Sequence, residues 1–226
     1  MACYKLLTDV HCACPDVVEN FEIQKIETVK GSYEYWHYGC DGYDDRGFGC
    51  GYRTLQTICS WLKTFKTSVD QDIKIPSISE IQKLLVEMED KPQSMVGSRD
   101  WIGSFETCLI IDRLYDVPSK ILHISSGKFL ENQVDAIFNH FHKFGSPIMM
   151  GGDMDCISKG VFGIAKTKTN QYFLLILDPH YYGKPLTDTS KLYDQEWVSW
   201  KPITDFMNGS FYNMCMPQIS PPDVAP

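Results

Sequence analysis

The chain has 226 residues and a formal net charge of −8 at pH 7, and 43% of its residues are hydrophobic. This size and composition suit one globular domain with a core of ordinary size. Acidic residues outnumber lysine and arginine by 29 to 21, and the basic residues nowhere form a block, so we expect no nucleic-acid partner. No apolar run approaches the length that spans a bilayer, and we therefore expect no membrane partner.

Cysteine is abundant, with nine residues in the chain. No apolar signal segment opens the sequence, so we expect a cytoplasmic protein whose thiols stay reduced. Zinc binding is the competing use of these thiols, because His11, Cys12 and Cys14 lie close together with Cys3 upstream. The sequence lacks a second Cys-x-x-Cys pair and zinc-finger spacing, so we predict no metal site.

The first predicted elements are two strands. Residues 21–28 alternate apolar and polar side chains, which indicates a strand with one irregularity. A turn at Lys30–Ser32 follows, and the aromatic-rich residues 33–38 are predicted to return as the second strand of a hairpin. Tyr38 would then end this strand next to a glycine turn, with packing as the ordinary role of its ring.

The rest of the chain is organised around Cys50, which lies between Gly49 and Gly51 after an acidic, turn-rich run. Apolar residues then recur at helical spacing, which predicts a half-buried helix that starts at the cysteine. Unpaired N–H groups at a helix start favour an anion, so the thiol there ionises more easily to the nucleophilic thiolate. We expect the two glycines to let a substrate backbone approach the sulfur. A buried structural cysteine is the alternative interpretation.

Several further elements are predicted downstream of this helix, and we list them in chain order. They are a helix over 78–88 opened by a Ser77–Glu80 capping box, a helix over 105–115, a strand over 121–124, a helix over 132–144, and strands over 147–150, 160–166 and 171–177. The segment after 197 has a mixed pattern. We predict one domain over residues 1–216 and a proline-rich, disordered tail over 217–226.

Two features of these elements suggest a binding groove. Trp101 lies on the loop that enters the helix over 105–115, where it would form either a wall for a substrate tail or part of the core. Gly151 and Gly152 follow the strand over 147–150, where they would either admit a peptide backbone or make a turn.

A second chemical motif follows the strand over 171–177, whose apolar run is typical of a strand buried on both faces. Asp178 and His180 come directly after it, and residues two apart in an extended chain point the same way. Pro179 holds the preceding residue extended. An aspartate beside an imidazole fixes its tautomer and orientation. A cysteine at a helix start with a histidine 130 residues downstream is the papain-like arrangement in outline.

Two stretches carry a family resemblance, namely GFGCGYRTLQTICSW at residues 47–61 and LDPHYYG at residues 177–183. Together they closely resemble the ubiquitin-fold modifier-specific cysteine peptidases. The resemblance runs from about Tyr33 to the C-terminus, and the length is similar to that of the short, single-domain members.

The resemblance implies roles for individual residues. Cys50 matches the family's nucleophile, Asp178 its orienting acid, His180 its general base, and Tyr38 the tyrosine whose hydroxyl helps to form the oxyanion hole. One position departs from the pattern, since Phe48 stands where members commonly carry tryptophan.

The resemblance also implies a fold and a function. The fold would be α+β and papain-like, with the site in the cleft between helices and sheet. The enzyme would process the precursor of the ubiquitin-fold modifier to expose its Val-Gly end and would cleave isopeptide bonds to target lysines, with no metal or organic cofactor. Two alternatives stay open, namely a peptidase of autophagy's ubiquitin-like proteins and an inactive module that binds a ubiquitin-like partner.

Overall fold

The computed structural model describes residues 5–14, 21–66, 74–154 and 158–220. Seven strands form one sheet in which all the pairings are antiparallel. In chain order they are β1 (Ile23–Thr28), β2 (Ser119–Ile124), β3 (Ile148–Gly152), β4 (Ser158–Thr167), β5 (Tyr172–Leu177), β6 (Val198–Pro202) and β7 (Tyr212–Pro217). The strand order is β2-β7-β3-β4-β5-β6, and β1 pairs with β4 outside that path.

The described residues also form five α-helices. They are α1 (Cys50–Lys66), α2 (Ile78–Glu87), α3 (Ser104–Tyr115), α4 (Val134–Lys143) and α5 (Ser190–Asp194). The first helix, α1, packs on β3 and β4, and α3 packs on α1, β2 and β7. Separate helices on an antiparallel sheet make an α+β fold, which confirms the predicted class. Within the described ranges, no helix is long and apolar enough to cross a membrane.

The helix that starts at Cys50 is more deeply buried than its pattern predicts. Every residue from 51 to 62 is buried, including polar ones, so the prediction of a half-buried helix is corrected. Two of the buried polar side chains, Thr57 and Ser60, are tolerated there because their hydroxyls have partners. Thr57 and Ser60 accept hydrogen bonds through their hydroxyls from the backbone N–H groups of Trp36 and Glu34, at 3.0 and 2.9 Å.

The same two contacts explain why the predicted hairpin does not form. Residues 33–38 are not a partner of β1, which pairs with β4 instead. Glu34 makes only an isolated bridge with Thr8, and Tyr35 donates its N–H to the Leu7 carbonyl. Hydroxyl groups of α1 satisfy backbone groups that a hairpin would have used, so the segment lies across the helix as an extended chain.

Other predicted elements are confirmed with small changes at their ends. The capping box is present, with Ser77 and Glu80 each hydrogen-bonding the other's backbone N–H. The irregularity predicted in the first strand is a register shift between Ile23 and Lys25. The sequence pattern did not predict β6 or β7. Pro217 ends β7, and Gln218 donates its N–H to the Pro118 carbonyl, so the ordered chain extends into the predicted tail. Residues 221–226 lie outside the described part.

Candidate active site

Three segments of the chain meet where α1 begins. Cys50 is the first residue of α1, and Asp178 and His180 directly follow β5. Tyr38 joins them because its N–H donates to the Pro179 carbonyl at 3.0 Å. The structure therefore brings together the four residues that the sequence selected as a catalytic group.

Asp178 holds the His180 ring in one orientation. Its Oδ1 accepts the His180 backbone N–H at 2.9 Å and the ring Nδ1–H at 2.5 Å. The predicted side-by-side placement is thus observed, with both side chains mostly buried. With Nδ1 directed at the aspartate, the other ring nitrogen is available to face Cys50.

The surroundings of Cys50 favour its thiolate. Burial of the side chain by itself would raise the pKa of the thiol, but hydrogen bonds from His180 and from the backbone N–H groups of Ser158 and Gly51 outweigh it. The net result is a thiol pKa below the ordinary value. The first turn of α1 contains no acidic residue, and the positive end of the helix dipole also favours the thiolate.

His180 is held in its charged form by the same contacts. Burial alone would lower the pKa of the imidazole, but the hydrogen bonds and negative charges of Asp178 and Cys50 raise it to about 9. The Cys50 pKa is lowered and the His180 pKa is raised, so both shifts favour the charged forms, a thiolate beside an imidazolium.

Tyr38 completes the arrangement around the sulfur. Its side chain is buried, and its ring stands edge-on to the His180 ring with centroids 4.9 Å apart. The hydroxyl hydrogen-bonds Cys50 and lies next to the Gly47 backbone. Burial, followed by the negative charge of Cys50, raises the pKa of Tyr38, so the hydroxyl keeps its proton as a donor.

Two buried residues beside Tyr38 tie the segments together, and sequence reasoning did not identify them. The Tyr35 hydroxyl donates to the Asp178 backbone carbonyl at 2.5 Å. The His37 Nδ1–H faces the carbonyls of Tyr38 and Tyr181, at 3.0 and 3.2 Å. Burial lowers the pKa of His37 to about 4, so this ring stays neutral. It links the segment that carries Tyr38 to the segment that carries His180. Tyr33, Tyr35 and His37 alternate along the chain and are buried, and this spacing is visible in the sequence. The groups that these side chains contact are not.

A buried ion pair shapes the loop between Tyr38 and Cys50. The Arg53 side chain has no exposed surface, and its Nε donates to Asp45 Oδ2 at 2.8 Å. A second carboxylate, that of Asp41, accepts from both terminal nitrogens at 2.9 and 2.8 Å. Asp45 also accepts the Gly39 N–H at 2.9 Å. The acidic run before Cys50 therefore has a structural role as the partner of α1. In the sequence, the one sign of this role is Arg53, one turn into that helix.

A cleft of about 280 Å³ opens beside Cys50. Its walls are Cys50, residues 101–106, Gly151, Gly152, Ser158, Phe211 and Asn213. Trp101 is 52% exposed and donates its indole N–H to the Gly47 carbonyl at 3.0 Å, so it belongs to the cleft wall and not to the core. Gly151 and Gly152 end β3 and also line the cleft, so they do not form a turn. Phe105 and Phe211, both exposed, are wall residues that sequence reasoning missed.

The glycines beside the nucleophile have a role that differs from the predicted one. A side chain on Gly49 would lie 1.9 Å from Asp45 Oδ2, and one on Gly51 would lie 2.4 Å from the Ile102 carbonyl. Neither lines the cleft. The prediction that these two positions admit a substrate is corrected, because this chain's own atoms occupy the space.

Phe48, at the position where a tryptophan is common in the resembled family, is a packing residue. Its ring is buried, lies edge-on to Tyr52 and carries the Arg99 guanidinium at 4.8 Å from its centroid. An indole N–H is not needed for these contacts.

Comparison with known proteins decides the family. A model of peptidase family C78 matches residues 24–215. The chain belongs to peptidase family C78. It is a cysteine peptidase with a papain-like fold, as predicted.

Relatives of this C78 peptidase agree in their descriptions. It is 39% identical to the mouse Ufm1-specific protease 1 over 93% of this chain and 94% of the relative. It is 43% identical to the human Ufm1-specific protease 2 over 88% of this chain but only 41% of the relative. A crystal structure of UfSP from C. elegans superimposes with a TM-score of 0.79 and 33% identity, over 96% of this chain and 38% of that one. The C78 chain thus spans about two fifths of the length of these two longer relatives.

The contribution of the buried Arg53 ion pair to the stability of the C78 peptidase can be tested by mutation. Replacing Asp45 by alanine (Asp45→Ala) leaves a buried guanidinium with one carboxylate fewer and the Gly39 N–H without its acceptor. We expect the free energy of unfolding to fall by about 3–5 kcal/mol, measured by chemical denaturation. Asp44→Ala is the matched control, because Asp44 pairs with Arg46 at the surface and its loss changes stability little. Equal stability of the two variants would show that the buried pair does not hold the loop.

Proposed function

We propose that this peptidase acts on the ubiquitin-fold modifier, processing its precursor to expose the C-terminal Val-Gly end and cleaving its isopeptide bonds to lysines. The observation that carries the proposal is the group of Cys50, His180 and Asp178 beside a cleft, in a chain that is similar over 93% of its length to the mouse Ufm1-specific protease 1. Cytoplasmic location, and the absence of nucleic-acid and membrane partners, stay predictions from the sequence.

The proposed chemistry begins with attack by Cys50 on the carbonyl carbon of the modifier's terminal Gly. The tetrahedral intermediate places a negative charge on the carbonyl oxygen. The Tyr38 hydroxyl and the Cys50 backbone N–H, which has no partner within the helix, are positioned to donate to that oxygen. Collapse of the intermediate breaks the C–N bond, and the leaving amine takes a proton from His180.

The second half of the reaction releases the modifier. The acyl group is now held as a thioester on Cys50, and His180 is neutral. His180 then accepts a proton from water as the water attacks the thioester carbonyl, and Cys50 leaves as thiolate. Asp178 stabilises the imidazolium in each half of the reaction.

The cleft supports a substrate tail of small residues. The side chains of Trp101 and Phe105 and the backbone of Gly151 and Gly152 line the cleft together with Cys50. A side chain next to the scissile bond would meet these walls, so we propose that glycine is required there. The folded part of the modifier would add binding that positions the tail over the sulfur.

The alternatives are less well supported. The relatives compared above are each described as a Ufm1-specific protease or UfSP, which favours this modifier over an autophagy substrate. An inactive binding module has no need for a lowered thiol pKa or for an aspartate fixed on the histidine ring.

The substrate assignment is tested by comparing kcat/KM for the intact modifier, ubiquitin and an autophagy modifier, each with the same C-terminal reporter. Of the three proteins, we expect rapid cleavage only for the ubiquitin-fold modifier. Cys50→Ser removes turnover, whereas Cys12→Ser, at an exposed thiol remote from the cleft, retains it. Equal rates on the three proteins, or preference for the autophagy protein, would refute the substrate while leaving the thiol chemistry intact.

Asp178→Asn tests the electrostatic role of the acid. The amide oxygen still accepts a hydrogen bond, but the negative charge that raises the His180 pKa to about 9 is gone. We expect kcat/KM to fall by up to about 10⁴-fold. The pH profile adds a sharper readout. Activity needs the imidazolium, so the wild type loses activity as pH rises through about 9, and the variant loses it at lower pH. Asp194→Asn is the surface control, and an alkaline limb that stays in place in Asp178→Asn contradicts this role.

Tyr38→Phe tests the oxyanion donor. The variant keeps the ring that packs on His180 and removes only the hydroxyl, so stability and substrate affinity are retained. We expect the single-turnover rate of acyl transfer to fall by about 10²–10³-fold. Tyr43→Phe, at an exposed ring, is the matched control and keeps the wild-type rate. If Tyr38→Phe also keeps it, Tyr38 is a packing residue.

A further inference from the structure

Two cysteines outside the catalytic group lie against each other between α3 and β7. The Cys108 thiol approaches the Cys215 sulfur at 2.9 Å, although 107 positions separate the two residues in the chain. Cys215 is fully buried, whereas Cys108 is partly exposed. Neither residue takes part in the chemistry proposed for Cys50.

We propose that Cys108 and Cys215 form a redox-sensitive pair, which a hydroperoxide converts into an intramolecular disulfide joining α3 to β7. The two thiols already face each other across the interface of a packed helix and strand. A disulfide needs a sulfur separation of about 2.05 Å, so the two sulfurs have to approach by about 0.9 Å, which side-chain rotation can supply.

The environments of the two thiols divide the chemistry between them. The hydrogen bond from Cys215 lowers the pKa of Cys108, while burial raises the pKa of Cys215. The partly exposed thiol is therefore the one that ionises and meets an oxidant from solvent. The buried thiol stays protonated behind it, as the group that closes the bond.

The oxidation proceeds in two balanced steps. The Cys108 thiolate attacks one oxygen of the hydroperoxide, the O–O bond breaks, and the leaving oxygen takes a proton to become water or an alcohol. Cys108 is then a sulfenic acid. The Cys215 sulfur attacks it, the S–O bond breaks, and the hydroxyl leaves as water with the Cys215 proton. A dithiol reductant reverses the product by thiol–disulfide exchange.

The disulfide would join the elements that form one wall of the catalytic cleft. Ser104, at the start of α3, already donates its hydroxyl to the Asn213 carbonyl of β7 at 2.7 Å, and both residues line the cleft. Cys108 lies one helical turn beyond Ser104, and Cys215 lies two residues beyond Asn213 on the same face of the strand. The bond therefore fixes an existing contact and does not create a new arrangement.

The experiment uses the full chain carrying Cys50→Ser, so that the catalytic thiol cannot react. The protein is treated with graded hydrogen peroxide, alkylated and digested without reduction, and the peptides are identified by mass spectrometry. We expect a Cys108–Cys215 cross-linked peptide as the main disulfide. Cys108→Ser removes it, and Cys12→Ser, at an exposed thiol, retains it. Recovery of Cys108 as a free thiol, as a sulfinic acid or bonded to another cysteine overturns the proposal.

A second measurement uses thermal unfolding of the same protein with and without a reductant. Closing a loop of this length raises Tm by about 5 °C or more in the oxidised form. The shift disappears in Cys108→Ser, whose substitution at a partly exposed position is compatible with folding. An equal shift in Cys108→Ser contradicts the proposal. Neither measurement involves a substrate or turnover, so both outcomes are independent of the proposed function.

Discussion

The buried charge of Arg53 is the constraint on which the active-site loop depends. A guanidinium without exposed surface must be neutralised within the protein, and Asp41 and Asp45 do this from the loop that precedes the same helix. Asp45 thereby brings its own backbone carbonyl to the N–H groups of Phe48 and Gly49. The loop therefore closes tightly onto the helix start, with Tyr38 before it and Cys50 after it. We interpret the ion pair as a device that fixes the nucleophile relative to its oxyanion donor.

Electrostatics at the reacting atoms follow from this fixed geometry. Cys50 and His180 each shift the other's pKa towards the charged form, and burial opposes both shifts. Asp178 and backbone N–H groups add further stabilisation of the two charged forms. Tyr35 and His37 hydrogen-bond backbone carbonyls before and after His180, those of Asp178 and Tyr181. These contacts resist small displacements of His180.

Local chemistry explains which features the sequence could predict. A capping box, a cysteine at a helix start and an Asp-Pro-His run each involve neighbours within a few residues, and their signals survive folding. The strand that pairs with residues 21–28 has no such local signal. It depends on whether the backbone N–H groups of residues 33–38 bond to hydroxyls of α1 or to another strand. The partners of Arg53 and the occupants of the space at Gly49 and Gly51 depend equally on contacts made after folding. Sequence spacing gives no direct signal for these contacts, and the substrate role predicted for the two glycines was wrong for that reason.

The strand order has a consequence for when this peptidase becomes active. The late strand β7 lies between β2 and β3, and among the described residues β2 is joined to the rest of the sheet only through β7. While the chain is being synthesised, the sheet therefore stays divided, with open edges on β2 and β3. The cleft wall at Asn213 is missing during that period. A nascent chain that already contains the Cys50 helix and His180 still lacks this wall, so we expect a complete binding groove only once the late strand is inserted.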